Sequence, residues 1–309
     1  HQALQCLHFY NFCLWELYYF GRVDRYLEPY YTADLAAGRL SRKEAVELFS
    51  CFLLLPDAYI MPGIAIDSLI GGRGPDGKAV ENEVTFLVLD AIAAAHSANG
   101  KAAVAVTSDT GEELLRRVIR LNAAGYTQPA IFNDALITEG FLKLGLPPED
   151  ARDYCHTGCV EVTPIGKSGS YVVAPYHNLP QYLLDTLATS PDGEEEEVFL
   201  ARFEKTVRER VIEENDKINR RMLERSRNGC ECMRASCLVH DCLETGRSLD
   251  EGGARYNYTE PNFLGFSNVV DSLVTLHELV FSGKMTGKEL LTVLESDYGG
   301  EEGEALRLF

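Results

Sequence analysis

The sequence predicts an α/β fold with substantial parallel pairing of strands. Two observations carry this. Between residues 62 and 144, short apolar runs that read as strands alternate with helical patterns, the order that builds strand–helix–strand units. Helix starts are also marked by side chains able to cap them. Ser41 stands three residues before Glu44, Thr110 before Glu113 and Thr286 before Glu289, each the spacing of a capping box. No internal repeat is evident.

Taken in order, residues 1–31 are dense in aromatics and read as a core helix followed by a turn at Pro29. An amphipathic helix opens at Ser41, runs through Val46, Leu48, Phe49 and Leu53, and stops at Pro56. Residues 62–77 read as a buried strand entering a glycine-rich turn, followed by a helix over NEVTFLVLDAIAAAH. Residues 102–107 form the next strand, with a helix capped from Thr110. Residues 129–134 form another strand, and a helix over 136–144 ends at Gly145. Residues 171–174 read as a strand, and Asn178-Leu179-Pro180 opens a helix through Leu183, Leu184 and Leu187. A solvated acidic turn at 190–197 precedes a long charged helix over 198–227. Residues 228–260 are loop-rich, 269–281 helical, and the chain ends in irregular structure after a helix capped by Thr286.

Gly72, Gly74 and Gly77 spell GxGxxG after a strand, so a dinucleotide site has to be weighed. Pro75-Asp76-Gly77 reads instead as a tight turn. The acidic residue at the distance a ribose would need falls near Asp90, inside a helix rather than at a strand end. A turn between strand and helix is the better reading.

Composition narrows the function classes. The 309 residues are 46% hydrophobic and 25% charged, values of an ordinary soluble globular protein. The net charge of -18 argues against nucleic acid as a partner, which needs a basic surface. No apolar run reaches membrane-spanning length, and the opening residues lack the basic start of a signal peptide. Nine cysteines without a secretory context fit reduced thiols in the cytoplasm. The chain also opens without Met, as a piece of a longer protein would.

The candidate for chemistry is Tyr154-Cys155-His156-Thr157-Gly158-Cys159-Val160-Glu161-Val162. In an extended segment, side chains two apart share a side. Cys159 and Glu161 then face one cavity, with Val160 turned away. On spacing alone, Cys159 is read as a small buried hydrophobe. A thiolate nucleophile beside His156 or His177 is an alternative, but a neighbouring carboxylate opposes thiolate formation. A radical route needs the neutral S–H, which a carboxylate leaves intact.

The stretch ARDYCHTGCVEV resembles the cysteine loop of the glycyl radical enzymes, the superfamily of pyruvate formate-lyase and the radical dehydratases. GGRGPDGKAVENEVTFLVLDA, PAIFNDALI, YHNLPQYLLDTL, CLETGRSLDEGGARYNY and NVVDSLVTLHELVF also resemble family segments, in the family's order. The resemblance implies part of a ten-stranded α/β barrel with Cys159 on a loop inside it. It implies that Cys159 becomes a thiyl radical and takes a hydrogen atom from substrate, and that Glu161 is its acid/base partner. Gly158 precedes Cys159, where pyruvate formate-lyase proper carries a second cysteine. The Gly-Cys-Val-Glu form is similar to the dehydratase and lyase branch, so formate acetyltransferase is the lesser alternative. The aromatic two residues before the Asn of YHNLP is Tyr176, which the resemblance places against substrate, or which is a packed tyrosine. Asp67 is a weaker substrate-binding candidate.

Cys230, Cys232, Cys237, His240 and Cys242 cluster within thirteen positions. Their spacing lacks the twice-repeated pair of a zinc knuckle, so buried thiols and no metal are expected. The resemblance leaves Arg255 and Tyr256 as barrel supports. It also implies a glycyl radical on an Arg-Val-x-Gly-aromatic motif near a C-terminus, and no such motif occurs in residues 1–309. The whole chain, 1–309, is then an internal part of one barrel domain, with its cysteine loop near 154–166 and the glycyl radical domain absent. No cofactor is expected on it. The implied partners are a small-molecule substrate, an S-adenosylmethionine-dependent activating enzyme and further copies in a homo-oligomer. A non-catalytic fragment or binding module is the alternative of another class.

Overall fold

The computed structural model describes residues 1–14, 19–58, 66–126, 128–157, 161–169, 175–229 and 232–307. The chain divides into two compact units. One comprises His1–Val172 with Cys232–Tyr258, the other Val173–Glu231 with Thr259–Phe309.

In the first unit, α1 (Gln2–Leu14), α2 (Val23–Tyr26), α3 (Glu28–Ala36) and α4 (Arg42–Leu54) precede the sheet. The expected turn at Pro29 is instead the first turn of α3. There the missing N–H costs no hydrogen bond and the fixed φ suits a helix. Ser41 and Glu44 form the expected capping box on α4.

Three parallel strands follow: β1 (Ile66–Gly71), β2 (Gly100–Val106) and β3 (Ala130–Asn133), in that spatial order. Between them run α5 (Glu83–Ala95) and α6 (Glu112–Ala123), and α7 (Asp134–Lys143) leaves β3. The capping box expected at Thr110 and Glu113 does not form. Thr110 Oγ1 accepts the N–H of Thr107 at 2.8 Å, and Gly111 caps α6 while donating its own N–H to Glu81 at 2.8 Å.

The period of two along β2 divides the unit into layers. Ala102 and Val104 face the core made with Phe49 and Phe52 of α4, Leu87 and Val88 of α5, and Leu114 and Val118 of α6. Ala103 and Ala105 face a second core with Leu69, Phe132, Phe141, Tyr154 and Cys155. Small side chains on this central strand let both layers close in. The second layer is the seat of a hairpin. Here α8 (Pro148–Arg152) feeds β4 (Tyr154–Thr157), which pairs antiparallel with β5 (Glu161–Pro164).

The glycine-rich turn after β1 is forced by crowding. Gly71 and Gly72 have φ +75° and +66°. A Cβ on Gly72 would stand 2.7 Å from Ala105 Cβ, 2.8 Å from Asp134 Oδ1 and 3.1 Å from Arg22 Nη2. The next turn closes on itself, with the Gly77 N–H bonded to Gly74 O and the Gly74 N–H to Lys78 O, both at 2.9 Å. Asn82 Oδ1 takes the N–H groups of Val84 and Thr85 at the start of α5. The amides a pyrophosphate would use at a helix N-terminus are therefore already bonded, and GxGxxG here is a turn.

In the second unit, β6 (Tyr176–Asn178) pairs parallel with β7 (Asn262–Leu264). The helix α9 (Leu179–Ala188) is capped by Asn178, whose Oδ1 accepts the Gln181 N–H at 3.2 Å. Leu183, Leu187, Phe199, Val269, Leu276 and Leu290 form its core. The long helix α10 (Glu196–Arg227) is charged along most of its length, and Phe199 is its buried residue. The helix expected over 269–281 is α-helical over Phe266–Leu276 and a π-helical turn over His277–Phe281. A helix, Gly300–Arg307, stands where irregular structure was expected. A glycine costs a helix only about 1 kcal/mol relative to alanine, which context overrides. The strand expected at 171–174 lies outside the described residues.

Gly72→Ala should destabilise the first unit by roughly 2–4 kcal/mol, combining left-handed strain with overpacking. Gly125→Ala, at φ +87° with nothing within 4 Å of its Cβ position, carries the backbone strain alone. Urea unfolding of both variants checks this, and equal losses would contradict the crowding.

Candidate active site

Arg22 organises the ground beneath the hairpin. Its side chain is 2% exposed. It donates to the carbonyl of Gly71, to that of Arg73 at 3.4 Å and to that of Tyr154, the first residue of β4, at 3.3 Å. Asp24, two residues on, is fully buried and accepts the Gly71 N–H at 2.7 Å and the Thr85 hydroxyl at 3.1 Å. Arg22 and Asp24 thus satisfy both polar groups of the Gly71 backbone, as a neighbouring strand would. Main chain does the same one step earlier, where Gly21 O accepts the Leu69 N–H at 2.8 Å. Burial raises the Asp24 carboxyl above its ordinary value, against the pull of Arg22 and the two hydrogen bonds.

Tyr154 is held at both ends. Its carbonyl takes Arg22, and its hydroxyl donates to Asp134 Oδ1 at 3.0 Å, at the end of β3. The guanidinium lies 5.8 Å from its ring centroid. Burial, then the Asp134 charge, push its phenol well above the usual range. The start of β4 is therefore tied across the C-terminal ends of β1 and β3.

Register fixes the hairpin's faces. Thr157 stands opposite Glu161 and Cys155 opposite Thr163, so these four share one face. Tyr154, His156, Val162 and Pro164 share the other, where the His156 ring lies 5.3 Å from that of Phe132. Glu161 is half-buried. The Thr157 and Thr163 hydroxyls on its face are buried and have no hydrogen-bond partner among the described residues. That face therefore carries one carboxylate and two hydroxyls.

The far end of β5 is held by charge. Lys167 Nζ meets Asp150 Oδ1 at 2.6 Å and Asp153 Oδ2 at 3.7 Å. Arg25 pairs with Asp153 at 2.8 Å. The Tyr256 hydroxyl donates to Asp150 Oδ2 at 2.6 Å, and partial burial, then that bond to the carboxylate, push the Tyr256 phenol up to about 12. Burial would raise the Asp150 carboxyl, but the bonds from Lys167 and Tyr256 outweigh it and hold it below its ordinary value. Tyr256 thus braces the approach to the hairpin, while Arg255 pairs with Asp241 at 2.9 Å.

The profile of the Pyruvate formate lyase-like family matches residues 1–308. The chain belongs to this family. Its relatives are dehydratases and lyases. It is 30% identical to the trans-4-hydroxy-L-proline dehydratase of Clostridioides difficile, over 98% of this chain and 43% of that protein. It is 28% identical to the (2S)-3-sulfopropanediol dehydratase of Klebsiella oxytoca, over 92% of this chain and 38% of that one. A solved structure described for 1,2-propanediol dehydration in Roseburia inulinivorans has a TM-score of 0.79 at 28% identity, covering 90% of this chain and 36% of that chain. The chain therefore spans about two fifths of the length of the curated relatives it matches. Its mixed α/β fold is that of these family members.

Of the site residues the sequence named, Glu161 opens β5 on the face just described. Cys159 lies outside the described residues, two positions before it. Asp67 belongs to β1, its backbone opposite Lys101, and its side chain is outside the description. Tyr176 opens β6 in the second unit and is 56% exposed. The neighbouring His177 is buried, bonded through Nδ1 to the Tyr182 hydroxyl at 3.0 Å and stacked on Phe263. Of the cysteine-rich segment, Cys230 is outside the description. Cys242 is a buried free thiol, whereas Cys237 is exposed rather than buried, and the Cys232 N–H donates to Asp250 Oδ2 at 2.8 Å. No group of three or more metal-ligating side chains forms among the described residues. No helix among them is long and apolar enough to cross a membrane.

Sequence reasoning missed Arg22, Asp24 and Asp134. The available signal was Gly21-Arg22-Val23-Asp24, two charges alternating around an apolar residue directly after a glycine. Arg22 caps and Asp24 lies within the short helix α2, which a reading of residues 1–31 as one core helix does not separate.

Because the folded Asp150 carboxyl lies below its ordinary value, its contribution is complete above the unfolded value near pH 4 and is lost as pH falls through the lower folded one. Denaturant unfolding from pH 7 down to about pH 3 should show Asp150→Asn less stable than wild type at neutral pH, with a flatter acid limb. An unchanged acid limb would remove the network from the account.

Proposed function

We propose that this chain carries the thiyl-bearing part of a glycyl radical enzyme that cleaves a C–X bond of a small molecule. The supporting observation is the Gly158-Cys159-Val160-Glu161 sequence, whose Glu161 opens a strand paired with one tied to the ends of β1 and β3, in a chain whose relatives are dehydratases and lyases. In this reading Cys159 and Glu161 line one interior cavity of a ten-stranded α/β barrel, with Tyr176 and Asp67 as substrate contacts. The substrate class suggested by the relatives' names is a small hydroxylated molecule such as a diol, a hydroxyproline or a hydroxysulfonate.

The Cys159 thiyl removes a hydrogen atom from the substrate carbon, forming S–H and leaving a carbon radical. A hydroxyl on that carbon becomes far more acidic, and Glu161 takes its proton. Electron density moves into the adjacent carbon, and the C–X bond breaks with the leaving group departing as an anion that accepts a proton. The product radical then recovers a hydrogen atom from Cys159 and restores the thiyl. No cofactor on residues 1–309 enters these steps. The initiating glycyl radical belongs to a segment outside them, generated by an S-adenosylmethionine-dependent activating enzyme in the cytoplasm. Formate acetyltransferase chemistry is not favoured, since Gly158 stands where that reaction uses a second cysteine.

After anaerobic activation of the complete gene product, Cys159→Ala should abolish turnover while leaving the glycyl resonance intact. Glu161→Gln should lower kcat about 10²–10⁴-fold. Turnover surviving in Cys159→Ala would overturn the assignment, and a complete product that never forms a radical would support the non-catalytic alternative.

Residues 1–309 alone should show no turnover under the same conditions. They should also self-associate. β3 has no further strand at its outer edge among the described residues, and Ile131, Leu136 and Leu144 on and beside it are 55%, 66% and 65% exposed. Open edges and clustered apolar surface favour association. Sedimentation at micromolar concentration should give a dimer or larger species, and a clean monomer would contradict the homo-oligomer.

A further inference from the structure

We infer that Arg22 is a positioning residue: its guanidinium fixes β4 against the end of β1, and so sets where Glu161, paired across from Thr157, stands relative to the sheet. The use of that placement rests on the radical reading above. The placement itself rests on geometry.

Three acceptors on two separate backbone segments share this one side chain. Gly71 and Arg73 lie on the turn leaving β1, and Tyr154 opens β4, more than eighty positions away in sequence. No carboxylate lies within ion-pair distance of Arg22 among the described residues, so its hydrogen bonds are spent on main chain. A planar fork of five donors can bridge carbonyls from two directions at once. A lysine ammonium, a single point donor on a flexible stem, cannot hold both in the same way.

The surroundings are shaped to this group. Gly72 has no Cβ where one would stand 3.1 Å from Arg22 Nη2 and 2.8 Å from Asp134 Oδ1. Asp24 occupies the other side of Gly71 through its N–H. The Tyr154 hydroxyl on Asp134 supplies a second, independent tie. Losing Arg22 therefore frees the hairpin's backbone end while leaving its phenol end attached.

The experiment is amide hydrogen exchange on the 309-residue chain, comparing Arg22→Met, Arg22→Lys and Tyr154→Phe. Arg22→Met should speed exchange of amides in 154–157 and 161–164 by about tenfold or more, the effect of losing a charged hydrogen bond to one locally opening segment. Amides of α5 should change by less than about threefold. Arg22→Lys should fall between wild type and Arg22→Met, and Tyr154→Phe should loosen the hairpin less than Arg22→Met does. Uniform acceleration across the first unit would make Arg22 a general core stabiliser and overturn the proposal. So would a hairpin left as protected in Arg22→Lys as in wild type. Should Arg22→Met not fold, Arg22→Lys decides by the same comparison.

In the activated complete gene product, Arg22→Lys should lower kcat by about tenfold or more, since ångström misplacement of reacting groups costs up to that order. KM and the glycyl radical content should change little. An unchanged kcat alongside a loosened hairpin would overturn the positioning role. Absence of turnover in the unaltered product would instead count against the proposed function and leave the exchange result standing.

Discussion

A buried guanidinium bonded to main-chain carbonyls is the interaction on which the candidate site depends. Burying Arg22 is costly unless its donors are met; its two Nη groups reach the carbonyls of Gly71, Arg73 and Tyr154, while its Nε has no partner among the described residues. Asp24 and Asp134 stand nearby without forming a direct ion pair with it. Each partner is then constrained in turn. Gly71 and Gly72 must take positive φ, the central strand must carry alanine at 103 and 105, and Tyr154 must span from Arg22 to Asp134. The hairpin is left with one seat.

This explains a division of labour in the first unit. Apolar layers on either face of β2 supply most of the burial, as the hydrophobic effect requires. The small polar cluster at the strand ends supplies direction. Buried polar groups that are hydrogen-bonded specify an arrangement more sharply than apolar contacts do, because the low dielectric makes each lost bond costly. Glu161 opens β5, and a carboxylate carried on a strand is held more precisely than one on a loop.

Much of the α/β order was legible because periodicity and caps are local. Ser41, Asn178 and Thr286 cap the helices that their spacing implies, and β1, β2 and β3 fall on the apolar runs. The errors also have local causes. Pro29 implies a turn, although a first helical turn accepts it. Thr110 was read as a cap, although Glu81, thirty residues away in sequence, takes the Gly111 N–H instead. For the site, the Cys159–Glu161 spacing is local and readable. The clamp from Arg22 to Tyr154 joins residues 132 apart, and no pattern in a single sequence encodes such a pair. The antiparallel hairpin was likewise invisible, because Gly158 signals a bend without saying what pairs across it.

The most direct test of the central claim needs no knowledge of the substrate. The complete gene product is activated anaerobically in H2O and in D2O, and the glycyl resonance is recorded. If the Cys159 thiol exchanges a hydrogen atom reversibly with the glycyl radical, solvent deuterium enters the glycine through the exchangeable S–H. The hyperfine doublet from the α-hydrogen then collapses to a singlet in D2O. This collapse is expected in the unaltered protein, and a persisting doublet in Cys159→Ala. A doublet that persists in both, or collapses in both, would contradict it.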